Sequence, residues 1–249
     1  MGQGQSNELM GQGQPQDRAT DINNIQEEES KLASKTIEVK PVPKLPYNYL
    51  NIIKEADLSI DFSSTEKLYE HLHHGVFLNQ KRKKYWIDKE SGQNCFMLYA
   101  RNLSITWSEE RHYWQWSNLI EASSCDGNIH VDVAQLLNVC WLEVHGKFNT
   151  CNLSPNTMYE ILFIVMLNDP SYGWEVPVNI RLILPDGETK EHKETLLTRL
   201  RAQWIELDVG EFYTSPDKVG ELQFSMFEYE GGKWKKGLCI KGVIIRPKK

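Results

Sequence analysis

From Tyr85 onward the chain runs in short apolar or alternating stretches closed by turn residues, and this rhythm confines it to a β architecture. The stretches cover residues 85–87, 95–100, 129–133, 139–144, 159–167, 176–184, 205–209, 222–227 and 238–245. Ser91-Gly92, Asp126-Gly127, Pro185-Asp186-Gly187 and Gly231-Gly232 punctuate them. Val176, Val178, Ile180, Leu182 and Leu184 alternate with Pro177, Asn179 and Arg181, the period of two of a strand with one wet face. Residues 159–167 are apolar on both parities, which suits a central strand covered on both sides. About nine strands without βα alternation predict an all-β, two-sheet antiparallel sandwich.

What precedes the β region is of a different kind. Residues 1–46 read as a disordered, low-complexity tail: MGQGQ occurs twice, a run of three glutamates follows, and KPVPKLP closes it as a proline-stiffened linker. The two GQGQ copies follow no strand and open no helix, so they make no phosphate loop. Met1-Gly2-Gln3-Gly4-Gln5-Ser6 fits the N-myristoylation pattern, which makes Gly2 a candidate acylation site; a Gly/Gln-rich tail that matches by chance is the alternative. Residues 47–83 hold one short helix, with Ser63 and Glu66 as a capping box, Leu68 and Leu72 on one face and Gly75 as the stop. His71, His73 and His74 crowd its last turn, where the helix dipole favours them, and no acidic co-ligand supports a metal. Lys81-Arg82-Lys83-Lys84 reads as a solvated edge ahead of the first strand, with a nuclear-import or RNA-contact patch as the alternative.

Composition removes several classes. A net charge of −6 gives no general pull toward nucleic acid or anionic membranes. No apolar run is long enough to span a bilayer, and the N-terminus has no apolar core of a secretory signal, so a cytoplasmic rather than secreted protein is expected. Cys95, Cys125, Cys140, Cys151 and Cys239 are odd in number and lack C-x-x-C spacing, which predicts reduced, packed thiols and no zinc. The sequons at Asn102 and Asn152 should then stay bare. No nucleophile elbow, phosphate loop or metal spacing occurs, so neither an enzyme nor a cofactor is expected.

Two features resist a purely structural account. SITWSEERHYWQW, residues 104–116, sets Trp107, Trp114 and Trp116 among Ser108, Glu109, Glu110, Arg111, His112 and Gln115. Core packing accounts for one or two of these indoles. An indole ringed by polar groups instead suits a ligand with a C–H face and hydroxyls, such as a sugar. A stacked single-stranded base is the runner-up, but it wants a positive groove, and Glu109 and Glu110 stand here. The second feature is Glu228, which by strict alternation falls on the apolar face of Leu222, Phe224 and Met226. Either the strand has ended there, or a carboxylate is held where it needs a partner. With Glu221 it could also form a hydrolase-type carboxylate pair.

The segments FMLYARNLSITW, YWQW, NVCWLEVHGKF, YGWEVPVNIRL, VGEFY and GELQFSMFEYEGGKWKKGLCIKGVIIRPK resemble, in order and with few gaps, the plant phloem protein 2 family and its Nictaba-like lectin domain. The likeness covers residues 84–249, and EKLYEHLHHGVFLNQ resembles the segment that precedes this domain in the A subgroup. It implies a jelly-roll lectin without metal or cofactor that binds N-acetylglucosamine oligomers and the N-glycan cores of glycoproteins. It implies a cytoplasmic location in phloem sap or sieve elements, or in the nucleus, and a homodimer. Matched residue by residue, Trp107 and Trp114 are the sugar-binding aromatics, Glu221 and Glu228 the sugar-binding carboxylates, and Trp116 a retained indole of less defined role. Relatives with an F-box or TIR module carry it in front, where this chain resembles neither. Phloem relatives that bind RNA or a filament protein leave an alternative: a transport protein in which sugar binding is secondary.

Overall fold

The computed structural model of the chain describes residues 45–123 and 127–249. Residues 1–44 of the tail, Gly2 among them, and Cys125 lie outside the described residues. In chain order the described elements are α1 (Tyr49–Ile52), α2 (Thr65–His74), β1 (Val76–Leu78), β2 (Lys83–Ile87), β3 (Asn94–Tyr99), β4 (Ser104–Ile105), β5 (Trp114–Ser123), β6 (Gly127–Leu136), β7 (Leu142–Asn149), β8 (Met158–Tyr172), β9 (Val178–Ile183), β10 (Thr189–Glu194), β11 (Trp204–Tyr213), β12 (Glu221–Glu228) and β13 (Lys236–Pro247).

These strands form an eight-stranded sheet and a five-stranded sheet of order β10-β9-β12-β7-β4. In the larger sheet β13 is the hub: it pairs with β8 along one side, and with β3 and β6 end to end along the other. From β4 onward the chain passes repeatedly between the sheets, giving β5-β6, β8, β11 and β13 to the larger and β7, β9-β10 and β12 to the smaller. Every strand pairing is antiparallel, as a jelly-roll sandwich requires.

The predicted alternation decides which side chains meet. Val178, Ile180 and Leu182 of β9, Leu222, Phe224 and Met226 of β12, and Leu142, Val144 and Phe148 of β7 point inward. They face Tyr159, Ile161, Phe163 and Val165 of β8, with Phe163 meeting Phe224 edge-on across the sheets. In β13 the inward parity changes between Ile240 and Val243, and a bulge just before Gly242 absorbs the change. Only glycine fits there: φ is 153°, and a Cβ would lie 2.0 Å from the Leu98 carbonyl oxygen.

The fold differs from the sequence expectation in three places. The helix N-cap is Ser64, whose side chain accepts from Lys67 N–H, rather than Ser63. Strand β8 is buried along its odd parity from Tyr159 to Leu167; on the other face Leu162 is buried, but Ile164 and Met166 are half-buried. Strands β1, β4, β5 and β10 lie outside the nine expected stretches. Both β5 and β10 are edge strands; β10, TKEHKE, is wholly polar and carries no hydrophobic signal, while the apolar residues of β5 fall on both parities. Residues 47–83 also join the main core through Ile52, Ile53, Leu68, Leu72, Val76 and Leu78, with β1 pairing to β2.

Candidate functional site

The turn between β4 and β5 carries the chain from the smaller sheet to the larger and explains two of its three tryptophans. Trp114 is buried and donates its indole N–H to the Thr106 carbonyl at 3.1 Å. Trp116 donates to the Ser108 carbonyl at 3.0 Å, while the Arg101 guanidinium lies 3.5 Å over its ring. Arg101 is held in turn by Asp132 at 2.8 Å and Glu109 at 3.2 Å. These two indoles therefore fasten the turn and satisfy its carbonyls. Trp107 is the remaining one, 45% exposed, with its ring against Tyr113 at 5.2 Å. Its φ of 60° is left-handed, which costs a bulky residue on the order of 1–3 kcal/mol. Glu110 N–H bonding to the Trp107 carbonyl at 2.9 Å helps hold it there.

The carboxylates separate. Glu221 and Glu228 begin and end β12, seven residues or roughly 23 Å apart, so they do not form one jaw. Glu221 is exposed and bonds Lys147 at 2.9 Å and Gln223 at 3.2 Å. Glu228 does stay on the apolar parity and is buried, and its partner is Lys235, buried as well. Glu228 Oε1 also accepts from Gly231 N–H at 2.7 Å, and Lys235 Nζ donates to the carbonyls of Cys140 and Lys233. The pair thus ties the loop after β12 to the approach of β7. Of the four residues expected to contact sugar, Trp107 and Glu221 are exposed, and Trp114 and Glu228 are buried.

That tie positions residues the sequence reading missed. Trp141 is 42% exposed and stacks on Tyr229 at 4.3 Å between ring centroids, with 14° between the planes. Tyr229 stacks in turn on Phe227, whose ring lies under the Arg181 guanidinium. Glu143 Oε2 accepts from Trp141 Nε1 and from Thr106 Oγ1, both at 3.1 Å, so one carboxylate joins this shelf to the Trp107 turn. Its other oxygen lies 3.0 Å from His145 Nε2. These contacts, led by His145 and then the Trp141 indole, hold the Glu143 carboxyl below the usual carboxylate range. The available signal was parity: in CWLEVHGKF, Trp141 shares its phase with Glu143, His145 and Lys147, the wet face of β7.

Among the described residues no cluster of His, Cys, Asp or Glu has the makings of a metal site, and no helix is long and apolar enough to cross a membrane. Residues 93–247 match the family described as Phloem protein 2. The Arabidopsis thaliana protein named Phloem protein 2-like A1 is 48% identical over 208 residues, covering 82% of each chain. A protein of Luffa acutangula named simply Lectin is 40% identical over 207 residues, covering 82% of this chain and 96% of its own.

Proposed function

The chain belongs to the phloem protein 2 family, and on that premise we propose that it is a non-enzymatic, carbohydrate-binding phloem lectin whose sugar contact is centred on Trp107. The observation that carries this reading is an indole left exposed and held in a left-handed conformation while its two neighbours are consumed in fastening the turn beneath it. Strain retained at an exposed aromatic points to a ligand contact. A flat apolar face beside Tyr113, in a turn that also carries Glu109 and Glu110 and is bonded at Thr106 to Glu143, suits a pyranose ring, whose C–H groups stack while its hydroxyls donate.

The ligand class is N-acetylglucosamine oligomers and N-glycan cores, bound by the 84–249 domain with residues 47–83 as part of its buried base. Trp114 and Trp116 position Trp107. Glu228 acts through Lys235 on the neighbouring loop, and Glu221 stands apart as an outlying polar contact. Binding is neutral and metal-free, so it withstands EDTA and changes little with salt, in contrast to RNA binding, which would fall steeply as salt rises.

The test is retention on GlcNAc-oligomer resin. Wild-type protein should be retained and released by free GlcNAc oligomers, and a folded Trp107→Ala protein should pass through. A folded Trp107→Ala protein that binds like wild type would place the sugar elsewhere.

A further inference from the structure

We propose that the outer face of the five-stranded sheet carries a second aromatic subsite, Trp141 backed by Tyr229 and Phe227, which takes a further pyranose ring of an oligosaccharide already engaged at Trp107. The proposal rests on the lectin reading above and extends it to a length of glycan.

The shelf is built rather than incidental. Three rings stack in series, Trp141 on Tyr229 at 4.3 Å and Tyr229 on Phe227 at 5.6 Å, and the outermost is the exposed one. Its support is rigid: Phe227 lies within β12, and the Glu228–Lys235 pair with the Gly231 N–H bond fixes the loop that holds Tyr229. The Trp141 indole N–H is bonded to Glu143, which fixes the plane of the ring while its face stays open.

The occupant follows from the charges. On this face Glu143 faces His145, Lys147 pairs with Glu221, and Arg181 pairs with Glu191. With these charges matched, Lys193, opposite Asn179, is a single exposed cation without an acidic partner among the described residues, which is not the cluster of positive charge that a phosphate chain or a nucleic acid needs. What it offers is a flat indole edged by the Glu143 carboxylate, which in turn meets the His145 imidazole. A neutral ring with an apolar face and hydroxyl donors fits that set; an anion does not. Glu143 also sets the direction of the ligand. It bonds Thr106, the residue before Trp107, and Trp141, so a chain leaving the turn meets the shelf next.

Isothermal titration of the full-length chain with GlcNAc oligomers from dimer to hexamer tests this. Wild type should gain affinity with length. Trp141→Ala should bind the dimer within about twofold of wild type and lose about tenfold on the tetramer and longer, the order of one stacked ring. Trp141→Phe should recover part of that loss, and Trp107→Ala should lose dimer and hexamer alike. Circular dichroism confirms that each variant is folded. A Trp141→Ala protein that matches wild type at every length, or that loses dimer and hexamer equally, overturns the subsite and leaves the lectin reading standing. A wild-type chain that binds no GlcNAc oligomer, or that is held on single-stranded RNA in a salt-dependent way instead, overturns both.

Discussion

Glu228 and Lys235 form an ion pair sealed inside the sandwich, seven residues apart across the loop that carries Tyr229 and Trp234. A carboxylate on an apolar strand face has two physical resolutions, a ligand or a countercharge, and here the countercharge is supplied from within the chain. Around the pair, Glu228 Oε1 accepts from Gly231 N–H and Lys235 Nζ donates to the Cys140 and Lys233 carbonyls, while Glu228 Oε2 relies on the Lys235 charge alone.

Glu228→Gln should therefore act on stability before it acts on binding. The lysine would be left buried without its counterion, a loss of about 3–5 kcal/mol for a broken buried pair. For a chain of this size that lowers Tm by roughly 6–20 °C. A double Glu228→Leu, Lys235→Met variant should regain most of the loss, because neither charge then has to be buried. Thermal unfolding of wild type and the two variants decides this; a Glu228→Gln protein with unchanged Tm and lost sugar binding would return the carboxylate to the ligand.

The two tryptophans of the turn should part company. Trp114→Ala removes a buried indole and strips the Thr106 carbonyl of its donor, and should cost about 3–5 kcal/mol of stability. Trp107→Ala removes an exposed ring and should leave stability nearly unchanged while retention on GlcNAc-oligomer resin is lost. Urea titrations alongside the resin assay separate the two. Equal destabilisation by both would make Trp107 a packing residue.

Acid should reach the Glu143 shelf late. The folded-state pKa of Glu143 is depressed by His145 and Trp141, so the contribution of its hydrogen bonds is complete above the unfolded value, about 4.3, and is lost only as pH falls through the lower folded value. The indole N–H resonance of Trp141 should hold its shift from neutral pH through the ordinary glutamate range and move below it. Glu143→Gln should abolish that titration. A midpoint at or above the ordinary value would mean that these contacts do not stabilise the carboxylate.

Thiol chemistry should divide the cysteines by burial. The four described cysteines are free; burial pushes the Cys95 thiol up to about 12 and the Cys239 thiol up to about 11. A raised thiol pKa leaves almost no thiolate near neutrality, and the packed side chains exclude reagent. Iodoacetamide at pH 7.5 on native protein should modify the half-buried Cys140 and Cys151 well before Cys95 and Cys239, as read by peptide mass spectrometry. Early labelling of Cys239 would show that β13 opens.

Strand alternation around Val178–Leu182 and Leu222–Met226 announced a sandwich because burial on one face writes itself into every second residue. The same rule set Glu228 on the apolar parity, with the end of the strand as the alternative, and the family motifs pointed to the Trp107 turn. Sequence alone left open what met Glu228, since its partner lies beyond a glycine turn and is chosen by where that loop folds back. It also left β10 unseen, because a wholly polar edge strand is held by backbone pairing, which no side-chain pattern records. Above all it grouped Glu221 with Glu228, whereas the extended backbone of β12 holds them apart, and grouped Trp107 with Trp114, whereas the crossover between sheets exposes one and buries the other. Which aromatic faces water is decided by the neighbouring strand laid over it, and that neighbour is a tertiary fact.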